Sequence, residues 1–291
     1  MQRKTVLGFT AALALATVVA GAPLATAEPR PDAGTASDGG GEDLVAIGLT
    51  TSQRLVSFGV DSPEQVTGIG RVSGLQGDRR LIGIDYRVQD GLLYGVGNAG
   101  GIYTLDDSSA AATKVSQLTV ALEGTNFGVD FNPAADRLRV VSDTGQNLRH
   151  DVNPGGATTV DVTLTYPPAT TPATGITGSA YTNNDLDTNT STTLYAVDTN
   201  LNQLAIQSPA NNGTLAATGL LTVDPGPSAG FDIYSKIRNG TTVELFGYAT
   251  MRVGSSYRMY EITLFSGNAE LEGTFAPFNQ VMDLAMPLNQ L

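Results

Sequence analysis

NFGVDFNPAADRLRVVSDTGQNLRHDV, residues 126–152, is the clearest copy of a unit that the chain repeats. The unit reads as an apolar strand with Asp130, a Pro and Asp turn, a second apolar strand, a polar loop around Gly145 and a third strand. Short runs of Val, Ile, Leu, Tyr and Thr between Gly, Asn, Asp and Pro turns are typical of an all-β chain. Because the unit recurs, it predicts the fold of the whole chain.

The first strand of the unit occurs five times. Its copies are LIGIDYR around Asp85, FGVDFN around Asp130, TGSAYT around Ala180, AGFDIY around Asp232 and QVMDLAM around Asp283. The successive separations of these positions are 45, 50, 52 and 51 residues. Such a period is the length of one four-stranded propeller blade, and three further strand classes each have five members as well.

The order of the strand classes predicts how the ring closes. The chain opens with a second-class strand, LVAIGLT (44–50), and ends with a first-class strand, QVMDLAM (280–286). The last strand would complete the blade begun at the N-terminus and leave no free edge. The sequence therefore predicts one domain over residues 44–288, a five-bladed β-propeller of four-stranded blades closed by pairing the C-terminal strand with the N-terminal blade. In a β-sandwich, the alternative, strands would have no reason to repeat at blade length.

An export signal precedes this domain. A short positive region is followed by an apolar run over residues 5–22, and the sequence ATA at 25–27 fits a small-x-small cleavage site. Residues 1–27 are therefore predicted to be a signal peptide cleaved near Ala27. Residues 28–43 are rich in Gly, Pro and Asp and are predicted to be a flexible leader. We expect a secreted protein with no membrane span.

The composition of the chain restricts the kinds of partner it can bind and the kinds of catalytic group it can use. The formal net charge is −12, and nucleic acids are poor partners for such a chain because they need clustered cations. The chain has no Cys, so a thiol nucleophile is excluded, and its one histidine, His150, is interpreted as a structural or surface residue. We expect a monomer whose partner is a small molecule, a glycan or a cell-envelope component.

Two sets of loops are predicted to share one mouth of the ring, those from fourth to first strands and those from second to third strands. Loops on a rigid scaffold are where ligands usually bind. The predicted ligand-binding residues of these loops are Asp78, Arg79, Arg80, Asn98, Glu123, Asn126, Asp143, Gln146 and Asn147. Among them, Glu123 with Asp143, or Asp78 with Glu123, are candidate carboxylate pairs for acid-base catalysis.

Four carboxylates occupy the same place in the first strands and are predicted to converge on the channel: Asp85, Asp130, Asp232 and Asp283. In a structural interpretation, each accepts backbone N–H groups from a neighbouring blade. In a functional one they hold Ca²⁺ or Mg²⁺, because converging carboxylates repel unless they are neutralised. The acidic run NNDLDTNT (183–190) is interpreted as a surface turn, with a cation as the alternative.

The stretch DRLRVVSDTGQNLR (136–149), preceded by FGVDFNP (127–133), resembles the bacterial domain-of-unknown-function 4394 family. GDRRLIGIDYR (77–87) and GLLYGVGNAGGIYTLD (91–106) are also similar to it, and the resemblance extends over nearly all of the predicted domain. It implies an exported, propeller-like domain and supplies no catalytic residues.

Two functions follow from these patterns. The first is an extracellular module that binds a ligand or partner through the loops at one mouth. The second is a hydrolase or lyase that uses a divalent cation in the channel or a carboxylate pair at the mouth.

Overall fold

Residues 44–291 are described by the computed structural model, and the predicted signal peptide and leader lie outside the described residues. Within 44–291, twenty strands form five four-stranded antiparallel sheets. The five-bladed propeller predicted from the repeat is therefore confirmed. None of the helical segments in this part of the chain has the length and apolar character needed to cross a membrane.

The blades follow one another along the chain. Blade 1 holds β1 (Val45–Thr50), β2 (Arg54–Gly59) and β3 (Thr67–Arg71), and blade 2 holds β4 (Leu81–Tyr86), β5 (Leu93–Gly97), β6 (Gly101–Leu105) and β7 (Ala112–Gln117). Blade 3 holds β8 (Phe127–Asn132), β9 (Arg137–Ser142), β10 (Asn147–His150) and β11 (Thr158–Val160). Blade 4 holds β12 (Ile176–Tyr181), β13 (Leu194–Asp198), β14 (Gln203–Gln207) and β15 (Leu215–Leu220), with a 3-10 turn at Ala210–Asn212. Blade 5 holds β16 (Ala229–Arg238), β17 (Thr241–Val253), β18 (Ser256–Ile262) and β19 (Ala269–Thr274).

The last strand, β20 (Val281–Ala285), closes the ring as predicted. It pairs antiparallel with β1, and Gly48 lies opposite Leu284, so blade 1 has the order β20-β1-β2-β3. Blade 1 thus combines three strands from the start of the domain with one from its end.

Apolar layers between neighbouring blades form the core. Each of five buried clusters draws side chains from two adjacent blades; the cluster between blades 1 and 2, for example, contains Leu49, Leu55 and Leu81. The alternation of the strands sends successive side chains to opposite faces, so each blade contributes to two layers. The ring is therefore held by side-chain packing across every junction.

Glycine two residues before the aligned aspartate lets the first strands approach one another. A Cβ on Gly83 would lie 2.5 Å from Val129 Cγ2, and a Cβ on Gly128 would lie 2.8 Å from the carbonyl carbon of Gly178. Both distances are too short for van der Waals contact. These glycines thus allow the close packing that brings the aligned carboxylates together.

Candidate functional site

Each of the four aligned carboxylates links its own blade to the next by accepting a main-chain N–H group, either from the first strand of that blade or from the residue that follows this strand. The pairs are Asp85 with Phe131 (2.7 Å), Asp130 with Tyr181 (2.9 Å), Asp232 with Met286 (2.6 Å) and Asp283 with Ile84 (2.8 Å). All four carboxylates are buried. Buried hydrogen bonds to an acceptor of this kind fix the position of one blade against its neighbour.

The junction between blades 4 and 5 is built differently, because Ala180 stands where the other blades have aspartate. Its link lies four to five residues further along the chain, in the acidic run 183–190. The main-chain N–H of Asn184 donates to Ser235 Oγ (3.0 Å), and Asp185 accepts from the N–H and hydroxyl of Thr242 (2.9 and 2.7 Å). The buried Asp185 is thus a contact between two blades.

Three of the channel carboxylates lie close enough to share a cation. Asp85, Asp130 and Asp232 each place one oxygen within 4.8 Å of the oxygens of the other two, and oxygen ligands at such spacing suit Ca²⁺. Burial raises the pKa of all three, and for Asp85 and Asp130 the charge of neighbouring aspartates raises it further. The pKa of Asp232 rises to about 6. Protons are therefore a second means of relieving the repulsion within this group.

The raised pKa values predict an unusual dependence of stability on pH. A carboxyl group with a higher pKa in the folded chain binds more protons when folded, so the free energy of unfolding falls as pH rises between the two values. For Asp232 this interval runs from about 3.9 in the unfolded chain to about 6 in the folded chain. We expect calorimetry to give a higher melting temperature near pH 5 than near pH 7.5, by roughly 5 °C.

Asp130→Asn tests whether a channel carboxylate causes this pH dependence. The amide oxygen can still accept the N–H of Tyr181, while the titrating group is removed. We expect a smaller loss of melting temperature between about pH 5 and 7.5 than in the parent. An unchanged dependence of melting temperature on pH would show that Asp130 does not contribute to the titration. Below about pH 4 stability should fall again, because hydrogen bonds from Arg87 hold the pKa of Asp136 below its usual value.

A cavity of about 190 Å³ opens where the first strands begin, at the mouth shared by the two predicted loop sets. Four of the five blades contribute to its wall. The lining residues are Thr51, Gln53, Arg80, Ile82, Thr125, Asn126, Phe127, Ser228, Ala229, Tyr257 and Met282. The wall therefore combines hydroxyl and amide groups, one charged side chain and several apolar side chains.

The polar and apolar parts of this wall are separated along the first strands. Ile82 and Phe127 each lie three residues before an aligned aspartate, which is roughly 10 Å of extended chain. Both side chains also pack in the apolar layer between blades 2 and 3, so the cavity wall is continuous with the core at this point.

Arg80 is the charged residue of the cavity. It is exposed, and its guanidinium forms no ion pair within residues 44–291. Its main chain is held in place, because Asn98 Oδ1 accepts the N–H groups of Arg79 (2.8 Å) and Arg80 (3.0 Å). The loop is thus positioned by a neighbouring side chain, and Arg80 is held as part of the cavity wall.

Of the nine predicted binding residues, two line the cavity, two are exposed on the mouth loops, four hold those loops, and Asn147 lies elsewhere. Arg80 and Asn126 line the cavity, while Arg79 and Glu123 are exposed on the same loops. Asp78, Asn98, Asp143 and Gln146 make hydrogen bonds that hold these loops.

Asp143, one of the residues that hold these loops, accepts four hydrogen bonds. It accepts from the main-chain N–H and side chain of both Thr125 and Asn126. Burial alone would raise the pKa of Asp143, but these hydrogen bonds outweigh it and keep the pKa below the usual value. An acceptor engaged in this way is poorly suited to take a proton, which argues against Asp143 as a partner of Glu123 in acid-base catalysis.

Asn147 lies between blades 3 and 4 and is 1% exposed. Its Oδ1 accepts from Arg139 (2.7 Å), which also bonds to Asp161 (2.6 Å) and Asn211 (2.8 Å). This buried network joins β9 and β10 to the turn at 210–212. Asn147 therefore contributes to the junction and does not reach the mouth cavity.

The sequence analysis did not select several residues that line the cavity. Thr51, Gln53, Ser228 and Tyr257 come from blades 1 and 5, and Tyr257 donates its hydroxyl to Ser228 Oγ (3.0 Å). All four are neutral, so charge did not mark them. The sequence feature that could have identified them is their position at the ends of the mouth loops.

Two other features lie away from this mouth. A larger cavity of about 440 Å³ lies at the outer part of blades 4 and 5, with apolar lining that includes Val243 and Phe265. His150 is fully buried between Ser116 Oγ (2.8 Å) and Thr158 Oγ1 (3.0 Å), and burial lowers its pKa. A neutral histidine in these contacts serves as part of the junction between blades 2 and 3.

These features define an all-β, five-bladed propeller with a small polar cavity at one mouth. The chain belongs to the family described as a domain of unknown function, DUF4394, whose sequence pattern matches residues 54–285. No curated protein matches the chain. The family predicted from the sequence motifs is therefore confirmed.

Solved structures give more distant likenesses. A protein of unknown function from Bacteroides thetaiotaomicron is 16% identical, with 85% of this chain and 64% of that chain covered and a TM-score of 0.48. A chain of a nidogen and laminin complex is 14% identical, with 86% and 87% covered and a TM-score of 0.44. Similarities with TM-scores this low support no conclusion about the function of this protein.

Proposed function

We propose that this protein is a secreted ligand-binding module that holds the acidic end of a small molecule or glycan in the mouth cavity. The observation that carries the proposal is Arg80, which lines a cavity built by four blades and forms no ion pair within residues 44–291. The predicted signal peptide supports an extracellular location. A rigid ring that presents polar loops at one mouth is the usual arrangement of a binding site in such scaffolds.

The wall favours a ligand rich in hydrogen-bond acceptors. Arg80 supplies several donors in a planar fork that matches a carboxylate. Thr51 and Ser228 add hydroxyl groups, while Ile82 and Phe127 offer apolar surface to the body of the ligand. A carboxylated sugar combines these features, because it carries a carboxylate, hydroxyl groups and apolar ring faces.

The experiment compares two neighbouring arginines. The protein without its predicted signal peptide is titrated by calorimetry with glucuronate and galacturonate, and with glucose as the neutral comparison. We expect Arg80→Ala to raise the Kd for the acidic sugar roughly tenfold or more, because a charge-assisted hydrogen bond is lost.

Arg79→Ala is the matched control, since Arg79 is exposed on the same loop and is absent from the cavity wall. It should leave the Kd nearly unchanged. Equal losses in both variants would mean that overall charge, and not the cavity, attracts the sugar. Failure of the parent to bind either acidic sugar would overturn the assignment of ligand class.

A hydrolase or lyase with a channel-bound divalent cation is the second candidate, and the convergence of Asp85, Asp130 and Asp232 favours it. Two observations favour the binding module instead. Each carboxylate is buried and accepts a main-chain N–H, and none of the three lines the mouth cavity. A substrate in the mouth cavity would therefore contact other residues than these three aspartates.

A further inference from the structure

A small cavity of about 80 Å³ lies between blades 3 and 4. Its wall includes the last residues of β8 and β12, whereas the mouth cavity lies where the first strands begin. The two cavities are therefore at opposite ends of these strands. We call the smaller one the arginine cavity, and its polar lining residues are Asn132, Arg137, Arg139, Arg149, Tyr181 and Asn211. Among residues 44–291, no aspartate or glutamate lines it.

Strand register brings the three arginines together. Arg137 and Arg139 are two residues apart on β9, so their side chains leave the same face of blade 3. Arg149 of β10 lies directly opposite Arg139. Like charges in directly opposite positions destabilise a sheet. The fold thus concentrates positive charge at one place in a chain whose formal net charge is −12.

The carboxylates beside these arginines do not balance their charge. Asp161 accepts from both Arg139 (2.6 Å) and Arg149 (2.9 Å), so two guanidinium groups share one carboxylate. Arg137 pairs with Asp151 (3.1 Å). The ion pairs of residues 44–291 therefore set two carboxylates against three guanidinium groups. The side chain of Arg139 is 3% exposed, and a buried charge without a counter-charge is costly.

The two asparagines of the wall have unused donors. The Oδ1 atom of Asn132 accepts the main-chain N–H groups of Ala134 (3.0 Å) and Ala135 (2.9 Å). The Oδ1 atom of Asn211 accepts from Arg139 (2.8 Å). These donors fix which end of each amide is the oxygen, so the other end is an NH₂ group. Neither NH₂ group makes a hydrogen bond within residues 44–291.

Tyr181 and Arg149 also have unused donors. Tyr181 is 2% exposed, and its hydroxyl accepts from Arg139 Nε (3.3 Å) while its own proton has no acceptor in the described part of the chain. Arg149 makes its hydrogen bonds through Nε alone, which leaves its two terminal nitrogens without a partner there. The residues of the wall therefore have donors to spare, whereas their side-chain acceptors are already occupied.

We infer that the arginine cavity binds a small tetrahedral oxyanion, with inorganic phosphate as the fitting ion. Phosphate carries negative charge and several acceptor oxygens, and the planar fork of a guanidinium binds two of them at once. A single water needs roughly 10–15 Å³ of such space, so about 80 Å³ accommodates one ion of this size. The ion would balance the third arginine and join blade 3 to blade 4. This site is separate from the mouth cavity and does not rest on the function proposed for it.

Calorimetric titration with sodium phosphate tests this inference. The protein without its predicted signal peptide is kept in a chloride buffer of constant ionic strength. We expect saturable binding of one phosphate per chain. Arg149→Gln should weaken binding roughly tenfold, because charge-assisted hydrogen bonds are lost. Tyr181→Phe should weaken it roughly fivefold, because the ring stays while one donor is removed.

A matched variant controls for overall charge. Arg238→Gln removes an exposed arginine of blade 5 that forms no ion pair within residues 44–291 and lines neither cavity. It should bind phosphate as the parent does. Equal losses in Arg238→Gln and Arg149→Gln would overturn the inference. Loss in Arg80→Ala with retention in Arg149→Gln would also overturn it, because the phosphate would then lie in the mouth cavity.

A phosphate ester distinguishes the free ion from a phosphorylated ligand. We expect glucose 6-phosphate to bind more weakly than inorganic phosphate, because the arginine cavity has no room for a hexose. Tighter binding of the ester would contradict the assignment of the free ion. Absence of saturable binding of phosphate to the parent would show that water fills the cavity, and it would overturn the inference.

A melting experiment covers the case in which a variant loses binding by misfolding. In chloride, Arg149→Gln should melt cooperatively, since the side chain it replaces is 35% exposed. Phosphate at high concentration stabilises proteins in general by its exclusion from their surface, and all variants share that gain. At low concentration only a protein that binds the ion in its folded state should gain stability. Equal gains in the parent and Arg149→Gln at low concentration would contradict the site.

Discussion

Removal of residues 281–291 should abolish cooperative folding of the propeller. β20 and the residue after it place Val281, Leu284 and Met286, each no more than 1% exposed, in the apolar layers of the ring. Burying a side chain of this size contributes about 1.5–3 kcal/mol, so the three together approach the whole stability of a typical domain. The deletion also removes Asp283, which accepts the N–H of Ile84, and it uncovers the edge of β1.

The test uses two deletions of different extent. The protein lacking residues 281–291 should show no cooperative thermal transition and should aggregate in size-exclusion chromatography, since an uncovered strand edge pairs with other chains. Deletion of residues 287–291 removes the hydrogen bonds of Gln290 to Val45 and leaves β20 in place. It should fold with a modestly lower melting temperature.

A peptide that spans residues 280–291 can be used to test whether the missing strand restores folding. Added during refolding, it should restore a cooperative transition to the longer deletion, because β20 joins blade 1 by antiparallel pairing with β1, which a separate peptide can also form. A longer deletion that melts cooperatively as a monomer would show that four complete blades suffice, and that β20 does not hold the ring closed.

Asp85→Ala should destabilise the protein by about 3 kcal/mol, because two buried main-chain N–H groups lose the carboxylate oxygens that accept them. Asp85 is 5% exposed and accepts the N–H groups of Tyr86 and Phe131, both at 2.7 Å. Each N–H left without a partner costs about 1–3 kcal/mol, and relief of carboxylate repulsion offsets part of the sum. For a domain of this size the melting temperature should fall by roughly 6–12 °C.

Asp85→Asn separates the lost acceptors from the lost charge. The amide has one oxygen, so it can keep one of the two N–H partners, and its effect should be about half that of alanine or less. Asp224→Ala is the surface control, because Asp224 is exposed and bonds only to Asn202. An unchanged melting temperature for Asp85→Ala would count against the role of the aligned carboxylates in holding the ring.

Blade 4, which lacks the aligned aspartate, also supports a role for carboxylates in holding neighbouring blades together. With alanine at position 180, a link between blades 4 and 5 is still made, by Asp185 and the hydroxyl and N–H of Thr242. The main-chain N–H of Ile233 is occupied by Asp232 of its own strand (2.6 Å). A carboxylate between blades is thus retained at each junction, while its place in the strand varies.

The candidate site was only partly predictable. The two loop sets at the mouth were correctly identified as neighbours, because alternating strand direction brings the same ends of all blades together. Which side chain of each loop faces the cavity depends on turn geometry. Asn98 accepts the N–H groups of Arg79 and Arg80 and does not line the cavity, whereas Arg80 does. Neither orientation can be inferred from residue type.

Strand identity, blade count and ring closure follow from the sequence alone. They depend on apolar alternation and on the repeat from Asp85 to Asp283, which are local or periodic properties of the chain. The tertiary structure decides the partner of each buried polar group. Asn147 enters a junction, Asp185 replaces the missing carboxylate of blade 4, and Tyr248 lies in one row with two glutamates. Such contacts depend on strand register, bulges and the placement of one blade against the next, and these arise only when distant segments pack together.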